Sequence, residues 1–237
     1  MSAPSPVGRR VFVAASVVAG ALAVPLHPVA TPVSAAIAGL VGLLGLRIWV
    51  WSRLPSVSAP AATPVARRLV HACGWIGLGL AVGLLLLGVI RFAIEPSLPV
   101  IGARIAAAGT LPVWRRLAII YVAAVGEELL FRVVLLSAIV ALATRLRRPA
   151  SLAPTPADLW IGIALSALAF AAAHLPGWIG VTPVGVGLAT AVLLLNGVAG
   201  IVLGYVFATR GILAAILTHA GADTALQLIG PLTATRG

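Results

Sequence analysis

The chain has no lysine: all sixteen of its basic residues are arginines. A lysine Schiff base and a lysine general base are therefore excluded. Cysteine is almost as scarce. With Cys73 alone there is no intramolecular disulfide, no thiol pair for a zinc ribbon and no dithiol redox motif. Charged residues make up 9% of the 237. A soluble domain carries roughly 25%, because it must cover itself with groups that water solvates. Only five residues are acidic, so the net charge is +11. That excess would suit nucleic acid, but the arginines lie between apolar runs and compose no binding face. What abounds is hydrocarbon, at 61% hydrophobic residues. The length suits one membrane domain and leaves none for a separate soluble one.

A helix needs about 20 apolar residues to cross about 30 Å of hydrocarbon. Such runs occur at residues 11–26, 32–51, 69–94, 117–143, 159–174, 183–209 and 212–228, each closed by Arg, Pro or Gly. The stretch 96–112 is apolar but short, holds Arg104 and is bounded by prolines. A surface or re-entrant helix is expected there, with an eighth crossing as the alternative. The runs are continuous rather than alternating, so helices are favoured over a β-barrel. The expected fold is all-α, a polytopic membrane bundle of about seven to eight transmembrane helices. Residues 1–114 form its N-terminal helices, 115–230 a C-terminal helical core and 231–237 a short tail.

With seven spans, Arg9, Arg10, Arg53, Arg67, Arg68, Arg145, Arg147, Arg148 and Arg210 share one face. The other holds Arg91, Arg104, Arg115, Arg116 and Arg236, so the N-terminus is expected inside. Arg9-Arg10 ahead of an apolar stretch and Ala21-Leu-Ala23 resembles a twin-arginine signal. A first membrane helix with a positive cytoplasmic flank fits better, because further spans follow. Residues 55–64 and 148–158 read as polar connectors.

An ionisable side chain inside a span costs roughly 2.5–3.5 kcal/mol and is a functional hypothesis by default. Glu95 and Asp158 lie at span ends, whereas Glu127, Glu128 and Asp223 lie inside predicted spans together with Arg132, His174 and His219. His27 falls in a loop and His71 at a helix end. Glu128 and Arg132 are four apart on one helical face, within ion-pair reach. Adjacent helical residues point about 100° apart, so Glu127 must face elsewhere. A pair that locks packing explains Glu128 and Arg132 but leaves Glu127 without a use. Phe170 and His174 also share a face, and the three alanines between them admit a close neighbour. His219 and Asp223 repeat the spacing, and Asp223 can either fix the His219 tautomer or face the cavity. Asn196 suits an interhelical amide bond, and Gly197, Gly200 and Gly204 a packing face.

One carboxylate, two imidazoles and a further carboxylate on three helices make a hydrolytic set. Glutamate can take a proton from water, and histidine can donate to an oxyanion or hold a metal. Glu127, His174 and His219 also form a three-ligand inventory for catalytic zinc. No H-E-x-x-H zincin motif and no G-x-S-x-G nucleophile elbow occurs.

These elements resemble the CAAX protease and bacteriocin-processing (CPBP, or Abi) family of intramembrane peptidases. Its pattern stands here as Glu127-Glu128-Leu-Leu-Phe-Arg132, Phe170-Ala-Ala-Ala-His174 and His219-Ala-Gly-Ala-Asp223. Gly200-Ile-Val-Leu-Gly204-Tyr and the Arg210-Gly211 turn add to it. The resemblance implies an endopeptidase acting on membrane-embedded or lipidated peptides in the bilayer. It further implies that Glu127 and His174 activate water, that His219 and Asp223 stabilise the oxyanion, and that Glu128 with Arg132 supports them. Metal-dependent and metal-free glutamate mechanisms are both argued for the family, so zinc stays open. Asp223 stands where many members have Asn, and an ionised Asp would oppose an oxyanion. Two other classes share the polar set: a non-catalytic immunity or scaffold protein, and a proton-coupled transporter, for which no repeats speak. The Ala, Val and Arg bias points to a high-GC bacterial genome and a multi-pass place in the inner membrane.

Overall fold

The structure is a computed structural model, and it describes residues 6–24, 29–54, 64–147 and 153–233. His27, residues 55–63 and 148–152 of the connectors and the tail from 234 onward lie outside the described residues. Among the described residues there are eight helices and no strand. They are α1 (Pro6–Ala23), α2 (Ala30–Ser52), α3 (Val65–Ile94), α4 (Pro99–Ala108), α5 (Val113–Arg147), α6 (Pro156–Ala173), α7 (Val186–Arg210) and α8 (Ile212–Thr233). A 3-10 turn, Leu175–Trp178, extends α6. Six of the eight, α2, α3 and α5–α8, are long and apolar enough to cross a membrane. Helix α4 has ten residues, a length of about 15 Å that reaches only halfway. The chain is a polytopic helical membrane protein.

Local chemistry sets the helix ends. Thr155 and Asp158 cap the start of α6 reciprocally: Asp158 N–H donates to Thr155 Oγ1 at 3.3 Å, and Thr155 N–H donates to Asp158 Oδ2 at 2.9 Å. Proline occupies the first turn of α4 and of α6, where its missing N–H would have been unpaired anyway. Gly211, at φ 88°, separates α7 from α8 in a conformation that side-chain-bearing residues rarely adopt.

Small residues set the packing, as expected where lipid supplies no hydrophobic drive between helices. Gly20 of α1 lies against Ser34 and Ala38 of α2, while Gly39 and Gly42 meet Val17 and Ser16, so the two run antiparallel. Gly200 and Gly204 of α7 sit on Ala167 and Ile163 of α6. Gly197 faces open space, so it is not part of that packing face. The tightest contact joins α3 to α8. A methyl group at Gly79 would collide with the Thr218 carbonyl oxygen, and one at Gly83 with that of Ala222. Helix α8 is thereby pressed onto α3 through the turns that carry His219 and Asp223.

Two apolar cores flank the polar residues. One gathers Trp49, Leu129, Val133, Leu136, Ile163 and Phe207 from α2, α5, α6 and α7. The other lies at the α4 end and gathers Ile90, Ile101, Trp178, Leu188 and Val192.

Candidate active site

Helix α5 carries both glutamates where its winding changes. Glu127 ends an α-helical stretch, and Glu128 begins a π-helical one that runs to Leu136. Wider turns of this kind recur at functional sites, because they redirect side chains without ending the helix. Glu128 and Arg132 are both 0% exposed, with Arg132 Nε 3.3 Å from Glu128 Oε2. The Arg132 guanidinium carbon lies 4.6 Å from the centre of the Phe170 ring, and Nη2 donates to Gly200 O at 3.5 Å. The pair thus ties α5 to α6 and α7. Glu127, one residue earlier, is 32% exposed.

Both imidazoles are oriented through Nδ1. His174 caps the end of α6, and its Nδ1 lies 2.8 Å from Phe170 O. A carbonyl only accepts, so Nδ1 carries the proton and neutral His174 leaves Nε2 bare. The ring also packs on Phe170, with centroids 4.7 Å apart. His219 places Nδ1 2.9 Å from Glu128 Oε1, so its Nδ1–H is directed at that carboxylate. Sequence spacing offered Asp223 for this task. Instead Glu128 performs it, and Asp223 Oδ2 lies 3.8 Å from the other nitrogen, Nε2. The two glutamates, though they diverge along α5, reach opposite edges of one imidazole.

The free atoms meet at Glu127. Its Oε2 lies 4.0 Å from His174 Nε2 and 3.7 Å from His219 Nε2. These gaps are too long for direct hydrogen bonds and suit one water molecule accepted or donated on each side. Three helices therefore bring Glu127, His174, His219 and Asp223 around one point, with Glu128, Arg132 and Phe170 beneath them. Asn196 stays outside this set, its Nδ2 donating to Val192 O of its own helix at 2.8 Å. Cys73 is exposed on α3.

For zinc, the donor chemistry is suitable but the spacing is not. Ligands at zinc–nitrogen and zinc–oxygen distances stand about 3.4 Å apart in a tetrahedral shell. The separations here are wider, and among the described residues no group of three His, Cys, Asp or Glu is arranged to hold a metal ion.

One set of positioning residues escapes the motif pattern. Gly79 and Gly83 form a G-x-x-x-G on α3, within the spans that carry no family motif, and they seat α8 and so His219. The i, i+4 glycine spacing was the available signal.

Comparison with known proteins bears on the same region. Residues 109–225, about half of the chain, match the family model described as type II CAAX prenyl endopeptidase Rce1-like. That stretch holds all six motif residues. No curated protein and no solved structure matches the chain.

Proposed function

The chain belongs to the CAAX prenyl endopeptidase family, and from that premise we propose an intramembrane endopeptidase in which Glu127 activates the attacking water. Glu127 is the exposed member of the glutamate pair, and it is the group that the Nε2 atoms of both imidazoles approach. A water between Glu127 and His174 gives one proton to Glu127 Oε2 and directs its other hydrogen to His174 Nε2. Its oxygen attacks the peptide carbonyl carbon, and the carbonyl oxygen becomes an oxyanion. Protonated His219 donates Nε2–H to that oxyanion while Glu128 holds the ring from Nδ1. When the C–N bond breaks, Glu127 returns its proton to the leaving amine. Asp223 balances the His219 cation from 3.8 Å, which is where an acid in place of the commoner Asn is tolerable.

The reading calls for a peptide that can present its scissile bond at membrane depth, either a transmembrane segment or a lipid-anchored chain end. The bacterial inner membrane is the proposed location. Zinc held by Glu127, His174 and His219 is the competing version, and it would require those side chains to close in.

The test uses the purified protein in liposomes with an internally quenched, farnesylated CAAX peptide. Cleavage by the native chain and none by Glu127→Gln is the expected result. Equal cleavage by both would remove Glu127 from the chemistry.

A further inference from the structure

His174 stands at the end of α6, where a helix constrains its residues least, because the last carbonyls lack intrahelical partners. The following turn, Leu175–Trp178, is held from outside. Arg104 of α4 donates from Nη1 to Gly177 O at 2.6 Å, and its guanidinium carbon lies 4.5 Å from the centre of the Trp178 ring. Trp178 is itself buried, in the apolar core at the α4 end. An arginine can donate in its plane while stacking on an aromatic face. The positive charge also faces the carbonyl end of α6, where the helix dipole favours a cation.

We propose that Arg104 is a positioning residue for His174. It clamps the backbone three residues beyond that histidine, so that Nε2 stays within one water of Glu127. The ring is then fixed from two directions, by Phe170 O on its own helix and by α4 through Gly177 and Trp178. This assigns a task to α4, which is too short to cross the membrane and contributes none of the six motif residues. The catalytic part of the proposal rests on the peptidase reading above, whereas the geometric part does not.

Two readouts test it on the full chain in detergent. The first is the 15N spectrum of histidine-labelled protein, with His174 assigned from a His174→Gln variant. Native His174 should show one protonated and one bare nitrogen, and Arg104→Gln should average the two. The second is turnover of the quenched farnesylated peptide. Arg104→Gln should lower kcat about 10–100-fold with KM unchanged, the scale on which a displacement of about 1 Å acts. Arg104→Lys keeps a donor and the charge but loses the planar stacking on Trp178, so it should recover only part of the loss.

An unchanged His174 signal in Arg104→Gln would overturn the proposal, whatever the turnover. So would a rise in KM with kcat unchanged. A native chain that cleaves no farnesylated probe would count against a prenylated substrate, and the histidine spectrum alone would then decide the clamp.

Discussion

Glu127→Gln and Glu128→Gln change neighbouring residues by the same atom, yet the first should disable chemistry and the second the fold. Glu128 is 0% exposed and faces an Arg132 that is 0% exposed as well. Removing its charge leaves the guanidinium buried and unpaired, a loss of about 3–5 kcal/mol. At 1.4 kcal/mol per decade, the folded-to-unfolded ratio falls about 10²–10⁴-fold. Deleting both charges in Glu128→Gln/Arg132→Met should recover most of that stability, because no lone charge remains. Glu127 is 32% exposed and only approaches its imidazoles, at 3.7 and 4.0 Å. Its replacement should change stability by no more than about 1 kcal/mol, while turnover falls about 10²–10⁴-fold. Unfolding followed by tryptophan fluorescence in detergent gives the first quantity, and the quenched-peptide assay the second. Equal destabilisation by the two substitutions, or a Glu128→Gln protein as stable as the native one, would refute this division of roles.

Gly79→Leu should force α8 off α3 and lower both the unfolding midpoint and turnover, at a strain of about 1–3 kcal/mol. Gly77→Leu is its control: a side chain there enters open space, so neither measurement should move. Asp223→Asn keeps the shape and removes an acid that would oppose an oxyanion, so turnover should stay within about tenfold of native, whereas Asp223→Leu should abolish it. Chelation by 1,10-phenanthroline should leave the rate unchanged. Loss of rate restored by added zinc would instead make Glu127, His174 and His219 metal ligands.

Much of the candidate site was legible because ionisable groups are so conspicuous in apolar runs. Glu127, Glu128, Arg132, His174, His219 and Asp223 stood out one by one, and i, i+4 spacing correctly put Arg132 with Glu128. Spacing within one helix cannot say which helices touch. The bond from Glu128 to His219 joins residues 91 apart and depends on α8 lying beside α5. Sequence reasoning therefore looked for the His219 partner on its own helix and found Asp223. The α3–α8 contact through Gly79 and Gly83 was hidden for a related reason: a glycine pair announces that something approaches, not what. Six of the seven expected spans coincide with helices long and apolar enough to cross, whereas the run at 11–26 falls on α1, which is not among those six. The π-helical turn at Glu128 was not legible, since nothing in the local composition distinguishes it from α-helix.

The most direct test of the shared pocket is an experimental density map of the protein in lipid. A single solvent peak should lie within about 2.6–3.2 Å of Glu127 Oε2, His174 Nε2 and His219 Nε2. A map that turned Glu127 toward the acyl chains, or held the two imidazoles apart, would contradict the arrangement from which the chemistry is derived.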